Sequence, residues 1–373
     1  MERYRVLRID EQLYGCEELP EGQPVLCDVL LEAPSGQRRV LAYPDAELTR
    51  LDIHEGDTVH LCCHTLTKCQ EEHMKEIQSS ALIGLGALGI LFGRKMPGVQ
   101  VIADADRIAR YSASPVVCNG EVCHFDYLTP AEGKPVDLIL IAVKATVLEQ
   151  AIRDIAKFVG PDTVILSVLN GITSEEAVEA AYPGHTLWSV AIGMDATRVG
   201  RSLTFGAAGR IQFGEKNGQM TERVRRVADY LDACGIANEP CSDILYKQWN
   251  KLMVNDGLNQ AAAAFDLPYG GLTQPGPAMD KMFEAMNEVI RLSQLEGVNL
   301  PDDNAHAVYD SMAASFKPEG MPSMRQDVLA HRPTEVEEFA GVVRRLAKKH
   351  GMPTPANDFF YEKIKEIEAS WEN

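Results

Sequence analysis

The chain has 373 residues, 45% of them hydrophobic and 24% charged, a length that requires two or three domains and a composition ordinary for a globular protein. Its formal net charge is −18, and a field of that sign repels nucleic acid and anionic membranes, so neither is an expected partner. No apolar run reaches transmembrane length, Met1-Glu2-Arg3-Tyr4-Arg5-Val6 lacks the apolar segment of a secretion signal, and an odd count of nine cysteines suggests reduced thiols and a cytoplasmic location.

Residues 1–70 read as a small β-rich accessory domain. Tyr4 to Ile9 alternates, Pro24 to Leu31 is apolar and β-prone, Arg39 to Tyr43 follows the turn residues Pro34-Ser35-Gly36, and Ile53 to Leu61 is a turn leading into a strand. Short strands between turn signals predict a small barrel or sandwich. A packing or dimer-forming module is the expected role, which makes a homodimer the expected assembly. Cys62, Cys63, His64, Cys69 and His73 crowd together, but their spacing fits no paired zinc-ligand pattern, and cysteine at a strand end packs as a small hydrophobe. Cys118 and Cys123, beside His124, are weaker candidates still. No metal is expected. The polar stretch Thr67 to Ser79 reads as a linker.

Ala81-Leu82-Ile83-Gly84-Leu85-Gly86-Ala87-Leu88-Gly89 is an apolar strand running into G-x-G-x-x-G and a helix start. Gly84 permits the tight turn, Gly86 lets the backbone approach a pyrophosphate, Gly89 lets helix and strand pack, and the amides at the helix start favour anionic phosphates. A second strand, Val99 to Ala103, ends at Asp104, twenty residues beyond Gly84, where an acidic residue would meet a ribose. Residues 75–240 are therefore expected to form a Rossmann-type dinucleotide-binding domain, with the cofactor on Gly84, Leu85, Gly86, Ala87, Leu88, Gly89 and Asp104.

Strands and helices then alternate, as a parallel sheet requires. Asp106 to Ser112 reads as a short helix, and Asn119-Gly120 as the I′ turn of a hairpin between Val116 and Phe125. Val136 to Val143 is a continuous apolar run typical of a strand buried on both faces, ending at Lys144. Leu148, Ile152 and Ile155 mark the next helix, and Thr163 to Val168 a strand ending at Leu169-Asn170-Gly171. Thr173 with Glu176 has the form of a capping box. Strands near Thr186–Ala191 and Arg210–Phe213 and a helix over Thr221–Ala233 close the domain. Lys144 and Asn170 lie at carboxyl ends of strands, the edge where open α/β sheets bind ligands.

Residues 241–373 show helical periodicity to the end and are expected to be an α-helical substrate domain. Asp243 to Phe265 reads as one long helix carrying Lys251, Asn255 and Asn259 four residues apart. Successive members advance about 40° and about 6 Å, so the three make one stripe about 12 Å long. Around them Leu252, Val254, Leu258, Ala261, Ala262 and Phe265 demand burial, and buried polar groups need partners or a ligand. Further on, Thr334 with Glu337 has the form of a second capping box, which would put Glu335 in a first helical turn.

The glycine turn, Ala142-Val143-Lys144, Leu169-Asn170-Gly171, Trp249 to Asn255 with Asn259, and Ser323-Met324-Arg325-Gln326-Asp327 with Glu335 resemble the ketopantoate reductase (2-dehydropantoate 2-reductase) family, in order from about Ile77 to the C-terminus. The resemblance implies reduction of 2-dehydropantoate, a small 2-keto acid, to pantoate for coenzyme A biosynthesis, by NADPH or NADH. Lys251 would hydrogen-bond the keto oxygen and supply its proton, and Glu335 would bind the substrate hydroxyl and hold Lys251. Asn170, Asn255, Asn259 and Ser323 would bind substrate, while Lys144 and Asn170 would touch the cofactor. The family usually has an arginine where this chain has Asp104, with Arg107 three residues on. The family implies NADP(H), whereas a carboxylate near the extra phosphate favours NAD(H) by about 1–4 kcal/mol unless Arg107 offsets it. Two other readings fit the same motifs: a dehydrogenase for another small 2-keto or 3-hydroxy acid, and a non-catalytic dinucleotide sensor signalling through residues 1–70.

Overall fold

The structure, a computed structural model, describes residues 2–12, 24–33, 35–62, 64–68, 75–314 and 317–371. It divides into two compact units, Met1–His73 and Met74–Asn373.

The first unit contains β1 (Glu2–Glu11), β2 (Leu26–Glu32), β3 (Arg38–Pro44), α1 (Asp45–Arg50), β4 (Thr58–Cys62) and β5 (Thr65–Lys68). The order is β3-β2-β1-β4-β5, with every pairing antiparallel. Alternation puts Val6, Val29, Leu31, Leu41, Val59 and Leu66 into one core with Leu48 of α1. A barrel or sandwich was the expectation; a single sheet forms because only one face is apolar and needs cover. Strand β5 also occupies the start of the stretch expected as linker. Cys62 is exposed at the end of β4 rather than packed inside, and Cys63, Cys69 and His73 lie outside the described residues.

The second unit opens with β6 (Ser80–Ile83), α2 (Ala87–Gly93), β7 (Gln100–Ile102), α3 (Ala105–Ala113), the hairpin β8 (Val117–Cys118) and β9 (Glu121–Val122), and β10 (Asp126–Leu128). It continues through β11 (Val136–Ile141), α4 (Leu148–Asp154), β12 (Val159–Ser167), α5 (Ser174–Ala181), β13 (Thr186–Val199), β14 (Ser202–Gly214), α6 (Glu222–Ala233) and β15 (Asn238–Pro240). The sheet order is β10-β7-β6-β11-β12-β13-β14-β8-β9, with β15 beside β14. From β10 to β13 the pairings are parallel. The chain leaves β6 toward one edge and returns at β11 toward the other, so the crevice of a doubly wound sheet opens between them. All of β6 and nearly all of β11 are buried, as strands covered on both faces must be. Asn119 and Gly120 both take positive φ, 48° and 86°, the geometry of the I′ turn.

Strands β13 and β14 form a hairpin much longer than the short strands expected, paired from Trp188↔Gly214 to Val199↔Ser202. Its far end pairs with β8 and contributes Arg198, Gly200 and Arg201 to the lining of a cleft.

Helices make up the rest: α7 (Ile244–Val254), α8 (Gln260–Ala264), α9 (Tyr269–Leu272), α10 (Pro277–Leu295), α11 (Asn304–Ala313), α12 (Ser323–Leu329), α13 (Val342–Lys349) and α14 (Pro355–Ser370). They enclose a core including Met253, Met282, Val289, Phe339 and Phe360. Between α7 and α8 the expected continuous helix is broken by a π-helical turn, Asn255–Asn259, and a second such turn, Glu337–Gly341, precedes α13. Among the described residues no helix is long and apolar enough to cross a membrane.

Candidate active site

The glycine turn is built as its chemistry requires. Gly84 has φ of +99°, and a Cβ there would lie 2.6 Å from the Ala142 carbonyl oxygen. A Cβ on Gly89 would lie 1.9 Å from the Gly84 carbonyl oxygen. Any side chain at either position would separate α2 from the strands. Gly84, Leu85, Gly86, Ala87 and Leu88 consequently line one wall of a cleft of about 930 Å³, the size of a cofactor site. Gly89 is buried beneath the turn.

Lys144, Asn170, Glu335 and Ser323 line the same cleft. Lys144 Nζ donates to Asp327 Oδ2 at 3.0 Å and to the Pro333 carbonyl at 3.1 Å, tying the sheet edge to the segment that carries Glu335. Asn170 follows β12 and joins two charged groups: its Nδ2 donates to Glu335 Oε2 and its Oδ1 accepts from Lys251 Nζ, both at 2.8 Å. Lys251 Nζ also donates to the Ala191 carbonyl of β13 at 2.7 Å. Burial lowers the Lys251 pKa to about 8, against the opposing pull of Glu335 and Glu175. The Glu335 carboxyl is pushed up by burial, with Asn170, Lys144 and Lys251 holding it back. Such a chain, with a proton poised near neutrality at one end, suits general acid chemistry.

Lys251, Asn255 and Asn259 do not themselves line the cleft; Lys251 reaches its wall through Asn170. Asn259 is 7% exposed, and its Nδ2 donates to Asn255 Oδ1 at 3.3 Å. The two residues bound the π-helical turn, and side chains four apart are neighbours on one helix face.

Asp104 caps α3, its Oδ1 accepting from the Arg107 amide at 2.7 Å, and its Oδ2 lies 3.3 Å from Arg107 Nε. Arg107 lines the cleft beside Arg110, Tyr111, Arg198 and Arg201. Sequence reasoning missed the last four, two of which stand at the end of the long β13–β14 hairpin. Arg201 reaches the carbonyls of Arg110 and Ser114 and lies over the Tyr111 ring, 5.5 Å from its centroid. Burial lowers the Arg198 pKa, and Arg201 adds repulsion. In this corner no carboxylate among the described residues pairs with Arg110, Arg198 or Arg201 within 4 Å; Arg110 and Arg198 donate through Nε to the carbonyls of Asp106 and Gly200.

Neither expected capping box forms. Thr173 Oγ1 donates instead to Glu338 Oε2 at 2.9 Å. Thr334 donates through both its amide and its hydroxyl to Glu368 Oε1, each at 2.7 Å, while Glu337 accepts from Tyr361 and Lys365. Tertiary carboxylates outcompete the local ones, so Glu335 lies in a bend before the second π-helical turn rather than in a first α-helical turn.

Two family models match: one described as Ketopantoate reductase PanE/ApbA over residues 80–218, the other as Ketopantoate reductase PanE/ApbA C terminal over residues 243–368. The 2-dehydropantoate 2-reductase of Streptococcus pyogenes serotype M1 is 26% identical over 292 residues, spanning 74% of this chain and 92% of that protein. Its counterpart from Lactococcus lactis is 28% identical over 239 residues, spanning 61% and 74%. The ternary structure of D-mandelate dehydrogenase with NADH and anilino(oxo)acetate shares the fold, with a TM-score of 0.70 at 24% identity over 79% of this chain and all of that one. With both family models matched in order on either side of the cleft, the chain belongs to the ketopantoate reductase family of oxidoreductases.

Proposed function

We propose that this chain reduces 2-dehydropantoate to pantoate with NADPH. The observation that carries the reading is the Lys251–Asn170–Glu335 chain ending on the cleft that the glycine turn lines. Gly84 to Leu88 and the arginine corner fit a dinucleotide, whose nicotinamide ring supplies the hydride when bound. As hydride reaches the keto carbon, the carbonyl π pair moves onto oxygen, which takes a proton from Lys251. The ammonium is worth more to that developing alkoxide than to the neutral ketone, which is what lowers the barrier. Asn170 holds Lys251 on line, Glu335 and Ser323 offer partners to the substrate's hydroxyl and carboxylate, and Lys144 secures the wall through Asp327. Lys251, which reaches the cleft wall through Asn170, would meet the keto oxygen, and Asn255 and Asn259 would join, only when the cleft closes on substrate.

For the cofactor, the arginine corner supports NADPH. Asp104 is occupied as a cap and neutralised by Arg107, so its charge no longer argues for NADH. Arg110, Arg198 and Arg201 without carboxylate partners argue for the extra phosphate of NADPH. The second reading, reduction of another 2-keto acid, is favoured by the structural likeness to D-mandelate dehydrogenase. Following NADPH and NADH oxidation with ketopantoate, 2-keto-isovalerate and phenylglyoxylate separates these. The proposal expects the highest kcat/KM for ketopantoate with NADPH, and a higher value for phenylglyoxylate would replace it. Dinucleotide binding without any oxidation would instead favour the sensor.

A further inference from the structure

One helical turn before Lys251, Gln248 meets a second carboxyl, outside the cleft lining, that the proposed reaction does not use. Glu175 is only 1% exposed. Its Oε2 accepts from Ser174 Oγ at 2.8 Å, and its Oε1 accepts from Gln248 Nε2 at 2.9 Å and from the Ser189 amide at 3.3 Å. Gln248 Nε2 also donates to the Ser189 carbonyl at 3.0 Å. Two further bonds complete the network: Ser167 Oγ to Ser174 Oγ at 2.7 Å, and Ser189 Oγ to the Ser167 carbonyl at 2.5 Å.

The placement is specific. Gln248 stands one helical turn before Lys251 on α7, and Ser189 stands two residues before Ala191, the carbonyl that Lys251 holds. Glu175 thus fastens the same helix and the same strand that position the Lys251 ammonium. A buried carboxyl without a cation within 4 Å is costly to a fold, and burial pushes Glu175 up to about 7. The charge of Glu175 nevertheless acts on Lys251, second to that of Glu335. Glu176 on the same helix, paired with Lys216, still adds repulsion that opposes ionisation of Glu175, and Glu335 acts on Lys251 as well.

We propose that Glu175 is a positioning residue that keeps Lys251 protonated, so that the proton donor is charged when a keto acid arrives. This rests on the reductase reading for its purpose, though not for its test. In its ionised form Glu175 favours the ammonium; made neutral, it leaves Lys251 to Glu335 alone.

The test uses the full chain labelled with [ε-13C]lysine, the Lys251 signal being identified by its loss in Lys251→Met. In the unaltered protein that signal is expected to titrate near pH 8. Glu175→Gln, which keeps the shape and removes the charge, is expected to lower the midpoint by about one pH unit. The alkaline limb of kcat/KM for ketopantoate should move down with it. Ser174→Ala deletes one oxygen that favours the ionised Glu175 and should move the midpoint the same way by less, which keeps the test decisive if Glu175→Gln does not fold. Glu175→Asp, which retains the charge, should restore most of the limb. A fixed Lys251 midpoint, with only kcat or thermal stability reduced, would show a purely structural role and overturn the proposal. Because the resonance reads Lys251 without turnover, a chain that reduces no 2-keto acid would sink the reductase reading alone.

Discussion

Lys251 is the residue on which activity is expected to turn. Removing one preorganised donor to a developing oxyanion typically lowers turnover about 10²–10³-fold, so Lys251→Ala should lose at least that factor in kcat while dinucleotide affinity, measured by fluorescence quenching, stays within about twofold. Unchanged turnover would remove Lys251 from the reaction. The pH dependence follows from the same group. Its pKa is lowered to about 8, so kcat/KM for reduction should be flat below that value and fall tenfold per unit above it, while oxidation of pantoate should gain over the same range. Arg198 gives a separate prediction. A charge-assisted bond to a phosphate contributes about 1.5–3 kcal/mol, so Arg198→Ala should raise KM for NADPH roughly tenfold or more and leave that for NADH nearly unchanged. Equal effects on both cofactors would move the phosphate site elsewhere. Arg198 was not legible in the sequence, because nothing in Val190 to Phe213 marks how far a hairpin extends before it turns. The places of Asn170 and Lys144 at the cleft were legible, since strand ends locate them without tertiary detail, whereas Glu335 was named through the family resemblance and its expected helical turn did not form.

At the scale of elements, local signals held where no distant partner competed. The Asn119-Gly120 turn and the glycine turn formed as read, because positive φ is a property of the residues themselves. Both capping boxes gave way to carboxylates far along the chain, Glu338 and Glu368. Apolar periodicity also passed over the π-helical turn at Asn255–Asn259, which hides one extra residue inside a helix whose faces still look continuous. That turn is held open by close packing: a Cβ on Gly257 would lie 2.5 Å from Met286 Cγ and 2.9 Å from the Met282 carbonyl oxygen. Met286 can swing aside, but the α10 backbone cannot. Gly257→Ala should therefore destabilise the second unit by about 1–3 kcal/mol and, by shifting the turn, raise KM for the keto acid more than it lowers kcat. A variant with wild-type melting and kinetics would show that α10 does not set the position of Asn255 and Asn259.

For the whole molecule, each unit has a core of its own, Val6 with Val29, Leu31 and Val59 in one, and separate clusters in the other. A chain beginning at Lys75 should therefore fold and retain its turnover. The second unit also contains two populations of carboxyls with opposite shifts, and their sum places its stability optimum. Asp137, Glu215 and Glu239 are held below the ordinary range despite the desolvation that opposes it, by hydrogen bonds and by the nearby cations Arg226, Arg223 and Lys247. Their stabilisation is present above about pH 4.5 and disappears as they protonate. Burial raises Asp256 and Glu288, which share a pocket with Asn357 between α10, α14 and the π-helical turn. A raised acid binds its proton more tightly folded than unfolded, so its stabilisation is complete below about pH 4 and declines as pH climbs toward the shifted value. The two trends cross in mildly acidic solution. Melting temperature should peak at about pH 4–5 and fall toward pH 7.5. Asp256→Asn, neutral at every pH, should flatten the upper side of that peak and melt at least about 2 °C higher at pH 7.5, with no such gain at pH 4.5. A gain that is the same at both pH values would mean that Asp256 is ionised throughout and that the buried pair costs nothing in proton linkage.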